Sequence, residues 1–431
     1  MFDYYIFITP NLSHIGGAEL YMKNKAQYLK DLGIKVLFIT GDCKEIKIKE
    51  LFGFEILEVP QIIFPIYYYN KKNILNHIIK WLKERVAVGK AVIESHNLYA
   101  CTWGEMVAKE LKAENIVYFL AEENIYNCDE TFSEFIQYKA DIGRFFGITE
   151  MSNKVIFGEN FKKLSLKNNF FNIPVKIEDY IDFKPAEKKK NLICKNIEVS
   201  DFNIITITRL EKNYLSFFLD EIVKCKELQK YNIKVFVIGD SNNKNLISKF
   251  RLTYENCTSS VKIFFLGYIY PLTKEIFEQC NIYIGMGTTI INAASMGCAS
   301  IIVDPRNNKS AGIFGIDNNN FAFSKNYTKE KNITEDILRL IDNPELMKKA
   351  QIEGKTIFNE KYEFFSVTNQ FLKCVVSLFE NKKKIYFSFN YKPHGKELIR
   401  YIFFKLHIYK IYMFIGKKVR NRNEIIKNNG L

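Results

Sequence analysis

The sequence predicts an α/β protein built as two domains, each a parallel sheet covered by helices. Three observations carry this expectation. Short apolar runs recur in two series, separated by stretches with a helical period. One segment with the composition of a linker divides the series. The chain has 431 residues with 47% hydrophobic content, enough for two domains with sizeable cores.

The first series has strand candidates at Tyr4–Thr9, Lys35–Thr40, Ala91–Ser95, Asn115–Leu120 and Phe145–Thr149. Between the first two, a helix is expected from about Ala18 to Leu32. Ala18, Met22, Ala26, Leu29 and Leu32 fall on one face, and Gly33 follows as a stop. Strands alternating with such helices indicate a parallel sheet. The second series has candidates at Asn203–Thr208, Lys234–Ile238, Lys262–Leu266, Ile282–Gly285 and Ala299–Val303. Between the series, Pro174, Pro185 and the run Lys188-Lys189-Lys190 mark a linker, with its core at 176–200. The domains are expected at 1–175 and 201–360, with a helix at 361–380 and a tail at 381–431.

The most informative stretch runs from Ile282 to Asp304. It reads as buried strand, glycine turn, helix, buried strand. Gly285 and Gly287 permit a sharp turn and a close backbone approach to a ligand. Thr288 or Thr289 can cap the helix whose first N–H groups, through Ile290, suit a phosphate. A dinucleotide site with Asp304 on a ribose is an alternative reading, although Ile290 stands where a third glycine belongs. An unliganded strand-to-helix turn is another.

Four other segments sit at strand ends. Gly16 and Gly17 open the first helix, with Glu19 in its first turn. His96 follows the strand Ala91–Ser95. Glu122 and Glu123 follow the next one. Arg209 closes the strand beginning at Asn203, with Glu211 and Lys212 just beyond. The carboxyl ends of parallel strands are where α/β proteins bind ligands. A tight turn, a structural histidine, solvated carboxylates and an Arg209–Glu211 ion pair are the corresponding readings without function.

Gly285-Met286-Gly287 at the head of a helix resembles the donor-sugar segment of retaining glycosyltransferases with the GT-B fold (glycosyltransferase group 1, family 4-like). Two glutamates usual in that family fall on Ile284 and Asn292. The resemblance covers roughly residues 1–380 and implies two Rossmann-like domains facing a central cleft, with the second binding the donor and the helix at 361–380 packing back on the first. It implies that Arg209, with Lys212 in place of a lysine usually found at Tyr214, neutralises the donor diphosphate. It further implies that Gly16 and Gly17 face the cleft, that His96 lies near the reacting sugar, that Gly267 and Tyr268 line the nucleobase pocket, that Gly239 ends a strand as in the family, and that Asn292 meets ribose hydroxyls. No metal and no cofactor is implied beyond the nucleoside diphosphate sugar itself.

The net charge is +14, and residues 381–431 hold 13 Lys and Arg against two Asp and Glu, a net +11. The charge is therefore a tail property, which argues against nucleic acid as partner. Lysines interleaved with Tyr401, Phe403, Phe404, Tyr409, Tyr412 and Phe414 suit a helix lying on an anionic membrane face. A helix packed on the protein is the alternative. No 18-residue apolar stretch predicts a membrane span, and no basic region ahead of Tyr4 predicts a signal peptide. Nine scattered cysteines without a C-x-x-C pair fit a reducing cytoplasm.

The expected activity is transfer of a sugar from a nucleoside diphosphate sugar to a glycan or lipid-linked acceptor hydroxyl, in bacterial surface polysaccharide or glycolipid synthesis. The missing glutamates keep a non-catalytic sugar-binding or scaffold protein open, and the fold keeps a nucleotide-sugar epimerase open.

Overall fold

Runs such as Tyr-Tyr-Ile-Phe-Ile-Thr are aromatic and β-branched without Gly or Pro, and they form strands buried on both faces. The computed structural model describes residues 2–44, 46–120, 124–163, 169–176, 202–241, 243–255, 260–270, 272, 274–304, 306–320, 331–380, 385–389, 402, 403 and 406. Two units emerge, one of Met1–Phe171 with Phe371–Leu431 and one of Asn172–Gln370. Each is a six-stranded sheet flanked by helices, and the fold class is the α/β, two-domain arrangement expected.

In the first unit the strands are β1 (Tyr4–Thr9), β2 (Lys35–Thr40), β3 (Glu55–Glu58), β4 (Ala91–His96), β5 (Glu114–Tyr118) and β6 (Phe145–Phe146), in the order β3-β2-β1-β4-β5-β6. All pairings are parallel. The helices are α1 (Gly17–Asp31), α2 (Lys71–Lys83), α3 (Tyr99–Leu111), α4 (Glu130–Asp141) and α5 (Glu150–Phe157). Local chemistry starts several of them. Asn70 accepts from Asn73 N–H at α2, and Asp129 from Phe132 N–H at α4. Thr149, expected to end a strand, instead forms a capping box with Ser152, which stops β6 at Phe146.

In the second unit the strands are β7 (Phe202–Ile207), β8 (Ile233–Ile238), β9 (Val261–Gly267), β10 (Ile282–Gly285), β11 (Ala299–Asp304) and β12 (Lys309–Ile313), in the order β12-β11-β10-β7-β8-β9. Only β12 runs antiparallel. The helices are α6 (Asn213–Lys224), α7 (Lys244–Tyr254), α8 (Lys274–Glu278), α9 (Thr288–Ser295), α10 (Ile333–Ile341), α11 (Pro344–Lys361) and α12 (Phe364–Glu380). Strand alternation splits the core. Ile282 and Ile284 point to one side of the sheet, and Tyr283 points to the other.

From Phe371 onward α12 belongs to the first unit. The Phe371 ring meets Tyr118 and Phe146, and Phe379 meets Phe2. The first aromatic run of the tail is core rather than surface. Phe389 is buried in the first unit, Tyr386 donates to Ala113 O, and Phe387 N–H donates to Glu105 at 2.9 Å. Glu105 is itself buried and also accepts from Asn115 and Lys139. Beyond 389, only Ile402, Phe403 and Leu406 are described, so Tyr401, Phe404, Tyr409, Tyr412 and Phe414 lie outside the described residues. So do Glu122, Glu123 and the linker from residue 177 to 201. Among the described residues no helix is long and apolar enough to cross a membrane.

Candidate active site

In the second unit the chain builds β8 and β9 on one side of β7, then returns to place β10 on the other side, with Ile282 opposite Ile204. The carboxyl ends of β7 and β10 therefore open a switch point, where connections diverge and a ligand can enter. The turn after β7 is pinned to β8, because Thr208 N–H donates to Ile238 O at 2.9 Å and Leu210 N–H to Asp240 O at 3.3 Å. The backbones approach so closely that a Cβ on Gly239 would stand 1.7 Å from Thr208 O, and its φ is +148°. Leu210 is buried, which anchors the turn. Arg209 is exposed and Lys212 half-buried on either side of it.

Burial, and then the charge of Arg209, lower the Lys212 pKa. Among the described residues no carboxylate pairs with Arg209 or Lys212. Glu211, offered as a partner for Arg209, has its carboxylate bonded to Ser241 Oγ at 2.5 Å.

The turn after β10 corrects one expectation. Gly287, not a threonine, is the cap of α9, with φ +70° and ψ −152°, a conformation open almost only to glycine. Thr288 and Thr289 already lie inside the helix. Thr289 Oγ1 donates to Met286 O at 3.0 Å and accepts from Tyr283 Oη at 2.6 Å. No side chain caps α9. Ile290 is buried, and its N–H donates to Gly287 O, which leaves Thr288 and Thr289 to supply the free end of the helix.

The remaining second-unit candidates divide between edge and core. Met286 and Asn292 are half-buried, and Asn292 O accepts from Ser295 Oγ. Ile284 packs in the core, one residue short of the edge, so its apolar identity serves packing. Gly267 ends β9 with φ +68° and accepts from Gly239 N–H at 2.9 Å. Tyr268 is 42% exposed beside Tyr270. It follows β9, two strands from β7, or roughly 10 Å along the edge. Asp304, at the end of β11, is held by Arg306 through several bonds, and its pKa is lowered because those bonds outweigh burial.

The first unit has its own switch point between β1 and β4, where Ile8 lies opposite Ser95. Gly16 caps α1 without a side-chain bond, and Gly17 begins the helix. Glu19 lies in the first turn, where the helix dipole favours a negative charge. His96 is the last residue of β4 and has no exposed surface, so it does not stand open at the strand end. Immediately after it, Asn97 and Leu98 both hold left-handed backbones, with φ +48° and +49°. Such strain costs on the order of 1–3 kcal/mol per residue and gathers at functional sites. Asn97 Oδ1 offsets part of it by accepting from Leu120 N–H at 2.9 Å.

Under this edge lies a polar cluster that the sequence pattern does not reveal. Glu94, two residues before His96, accepts from His96 Nε2 at 2.7 Å and Tyr21 Oη at 2.9 Å on one oxygen. It accepts from Tyr5 Oη and Lys25 Nζ on the other. All five side chains are buried. Burial pushes the Glu94 carboxyl upward, but Lys25 and His96 outweigh it and hold the pKa at about 2. Burial lowers Lys25 to about 8 against the pull of Glu94. The carboxylate gathers four donors whereas the ammonium has one carboxylate, and this is why attraction wins for Glu94 and burial wins for Lys25. The sequence signals were a charged residue inside the strand Ala91-Val-Ile-Glu-Ser-His96 and a lysine on the Met22–Ala26–Leu29 face of α1.

No protein-family model matches the chain, and no curated protein matches it in sequence. Solved structures do match in fold. HepE of Anabaena, solved in complex with UDP, superposes with a TM-score of 0.61 at 12% identity, over 86% of this chain and 99% of that one. A glycosyltransferase of Rickettsia africae ESF-5 gives 0.60 at 19%, over 88% and 99%. The lipopolysaccharide outer core galactosyltransferase WaaB gives 0.56 at 13%, over 87% and 99%. The chain thus has the two-domain α/β fold shared by these GT-B glycosyltransferases.

Proposed function

We propose that the protein is a glycosyltransferase that moves a sugar from a nucleoside diphosphate sugar to an acceptor hydroxyl. The observation that carries this reading is the pair Arg209 and Lys212, two cations without a carboxylate partner among the described residues, on the edge that also carries the uncapped start of α9. Two adjacent cations beside free helix N–H groups form an anion site, and a diphosphate matches its charge. In the reaction, the same groups stabilise charge developing on the departing nucleoside diphosphate. Gly285, Met286 and Gly287 let the backbone approach the phosphates, Asn292 bonds ribose hydroxyls, and Gly267 with Tyr268 receives the base. The UDP bound by HepE supports the same ligand class. In this reading the second unit is the donor domain. The first is the acceptor domain, with Gly16 and Gly17 at the acceptor and His96 near the reacting sugar. Transfer is retaining and needs no metal.

The acceptor is a lipid-linked glycan of a bacterial surface polymer, and the basic tail holds the enzyme at the cytoplasmic membrane face. Residues 381–431 carry a net +11, of which +8 lies beyond residue 389, interleaved with aromatics, and this motivates that part. Both parts meet in one assay series. With UDP-glucose and other sugar nucleotides as donors, the intact chain is expected to transfer sugar to a bacterial lipid extract and to release the nucleoside diphosphate. A chain ending at residue 389 is expected to lose transfer to lipid while keeping it to a short soluble acceptor, and to stop sedimenting with anionic vesicles. Absence of turnover with every donor contradicts the enzyme reading. Equal vesicle binding by the truncated chain contradicts the tail's role.

A further inference from the structure

We propose that Tyr283 is a positioning residue of the donor edge, whose buried hydroxyl works through Thr289 to hold the turn 285–287 and, with it, the anion-facing start of α9. That this start meets a diphosphate rests on the glycosyltransferase reading; the hold on the turn does not. Tyr283 lies in β10, paired with Ile205 of β7, and has no exposed surface. Its ring sits in the core layer that also contains Ile290, Ile291 and Ala294 of α9. The hydroxyl reaches from there to the first turn of the helix. The order of donors is fixed by proton count. Thr289 Oγ1 carries one hydrogen and gives it to Met286 O at 3.0 Å. The hydrogen in the 2.6 Å contact between Tyr283 Oη and Thr289 Oγ1 therefore comes from the tyrosine. Burial pushes the Tyr283 hydroxyl well above its ordinary range, so it keeps that hydrogen. A hydrogen bond from the Ile207 backbone acts against burial, so the same oxygen also meets the last residue of β7, two before Arg209.

Room for this oxygen explains Gly285. A Cβ there would stand 2.6 Å from Tyr283 Oη and 3.0 Å from two carbons of its ring. Gly285 thus serves the tyrosine beneath the turn, whereas Gly287 serves the backbone conformation, with φ +70°. Little else holds the turn among the described residues. No side chain caps α9, and Ile290 N–H reaches back to Gly287 O at 3.2 Å. The chain from Tyr283 through Thr289 to Met286 is the side-chain restraint on the residues just before the helix. An anion site made of backbone N–H groups depends on those groups being held before the anion arrives. A tyrosine that never touches the ligand therefore sets how well the edge binds it.

Calorimetry with UDP and amide exchange resolved by NMR test the two parts. Tyr283→Phe keeps the ring and removes the oxygen. It is expected to weaken UDP binding by about fivefold to tenfold, the size of one hydrogen bond, while exchange protection of β8 is unchanged. Thr289→Val cuts both bonds and strands the tyrosine hydroxyl, so it is expected to bind more weakly still. Thr289→Ser returns a hydroxyl and is expected to recover most of that loss. In Tyr283→Phe/Thr289→Val the two losses are expected not to multiply, because both changes cut one chain. Exchange of the Ile290 amide is expected to quicken in Tyr283→Phe and in Thr289→Val. Wild-type affinity in Tyr283→Phe, or losses that multiply in the double variant, overturns the positioning role. Unchanged Ile290 exchange in both single variants overturns the hold on the turn. If Tyr283→Phe does not fold, Thr289→Val and Thr289→Ser decide, because equal binding by those two overturns the role. If the wild type binds neither UDP nor another nucleoside diphosphate, the donor reading fails, while Ile290 exchange still decides the hold on the turn.

Discussion

Glu94→Ala is expected to destabilise the first unit by about 3–5 kcal/mol, because it strands a buried charge. Lys25, with no exposed side-chain surface, loses its only carboxylate, and Tyr5, Tyr21 and His96 lose their shared acceptor. Hydrogen exchange is expected to show lost protection in β1, β4 and α1 and unchanged protection in the second unit. Lys25→Met/Glu94→Leu removes both charges, and it is expected to cost much less than the sum of the single changes. A double variant as unstable as that sum would mean that the two charges are not coupled. Acid tests the same cluster. The Glu94 carboxyl falls from an ordinary 4.5 to about 2 on folding, so its contribution is complete above 4.5 and disappears as pH drops towards 2. The Lys25 ammonium has the opposite balance, and its cost is relieved as pH rises from about 8 towards 10.5.

Gly239→Ala is expected to cost the second unit about 3 kcal/mol, at the upper end of what overpacking does. A Cβ there would overlap Thr208 O at 1.7 Å, and that atom belongs to backbone that cannot rotate aside. The turn carrying Arg209 must move, so nucleotide binding should fall together with stability. Gly287→Ala is the contrasting case. A Cβ there meets nothing within 4 Å, and only the backbone conformation, with φ +70°, is strained, at a cost of about 1–3 kcal/mol. Urea denaturation and exchange protection of β7–β9 check the order of the two effects. A harmless Gly239→Ala would show that β7 and β8 do not approach as described.

Most of the strands legible in the sequence are buried on both faces, where apolar runs have no competing explanation; β9, with Lys262 exposed and Phe264 half-buried, is legible through its Ile-Phe-Phe-Leu run. β3 was missed because Glu55-Ile-Leu-Glu58 is short, lies at the sheet edge and begins and ends in charge. β12 was missed because Lys309-Ser-Ala-Gly-Ile313 consists mainly of small and polar residues. β5 and β6 end earlier than expected, at Tyr118 and Phe146. After β6 the chain leaves the sheet, and Thr149 is taken up in capping α5. Arg209, Gly287 and His96 could be picked out because strand ends mark ligand edges in any parallel sheet. Glu94 and Lys25 each break an apolar pattern, one inside a strand and one on the apolar face of α1, but they lie 69 residues apart and nothing in the sequence pairs them. The cap of α9 is Gly287 rather than the commoner threonine, because this turn needs a positive φ that only glycine accepts easily.

Calorimetric titration of the wild type and Arg209→Ala with UDP tests the central claim most directly. The wild type is expected to bind, and the variant to lose about 2 kcal/mol, roughly thirtyfold in affinity, as for a charge-assisted contact. Equal affinity in the two proteins, or no binding by the wild type to UDP or to any other nucleoside diphosphate, would contradict the assignment of this edge as the donor site.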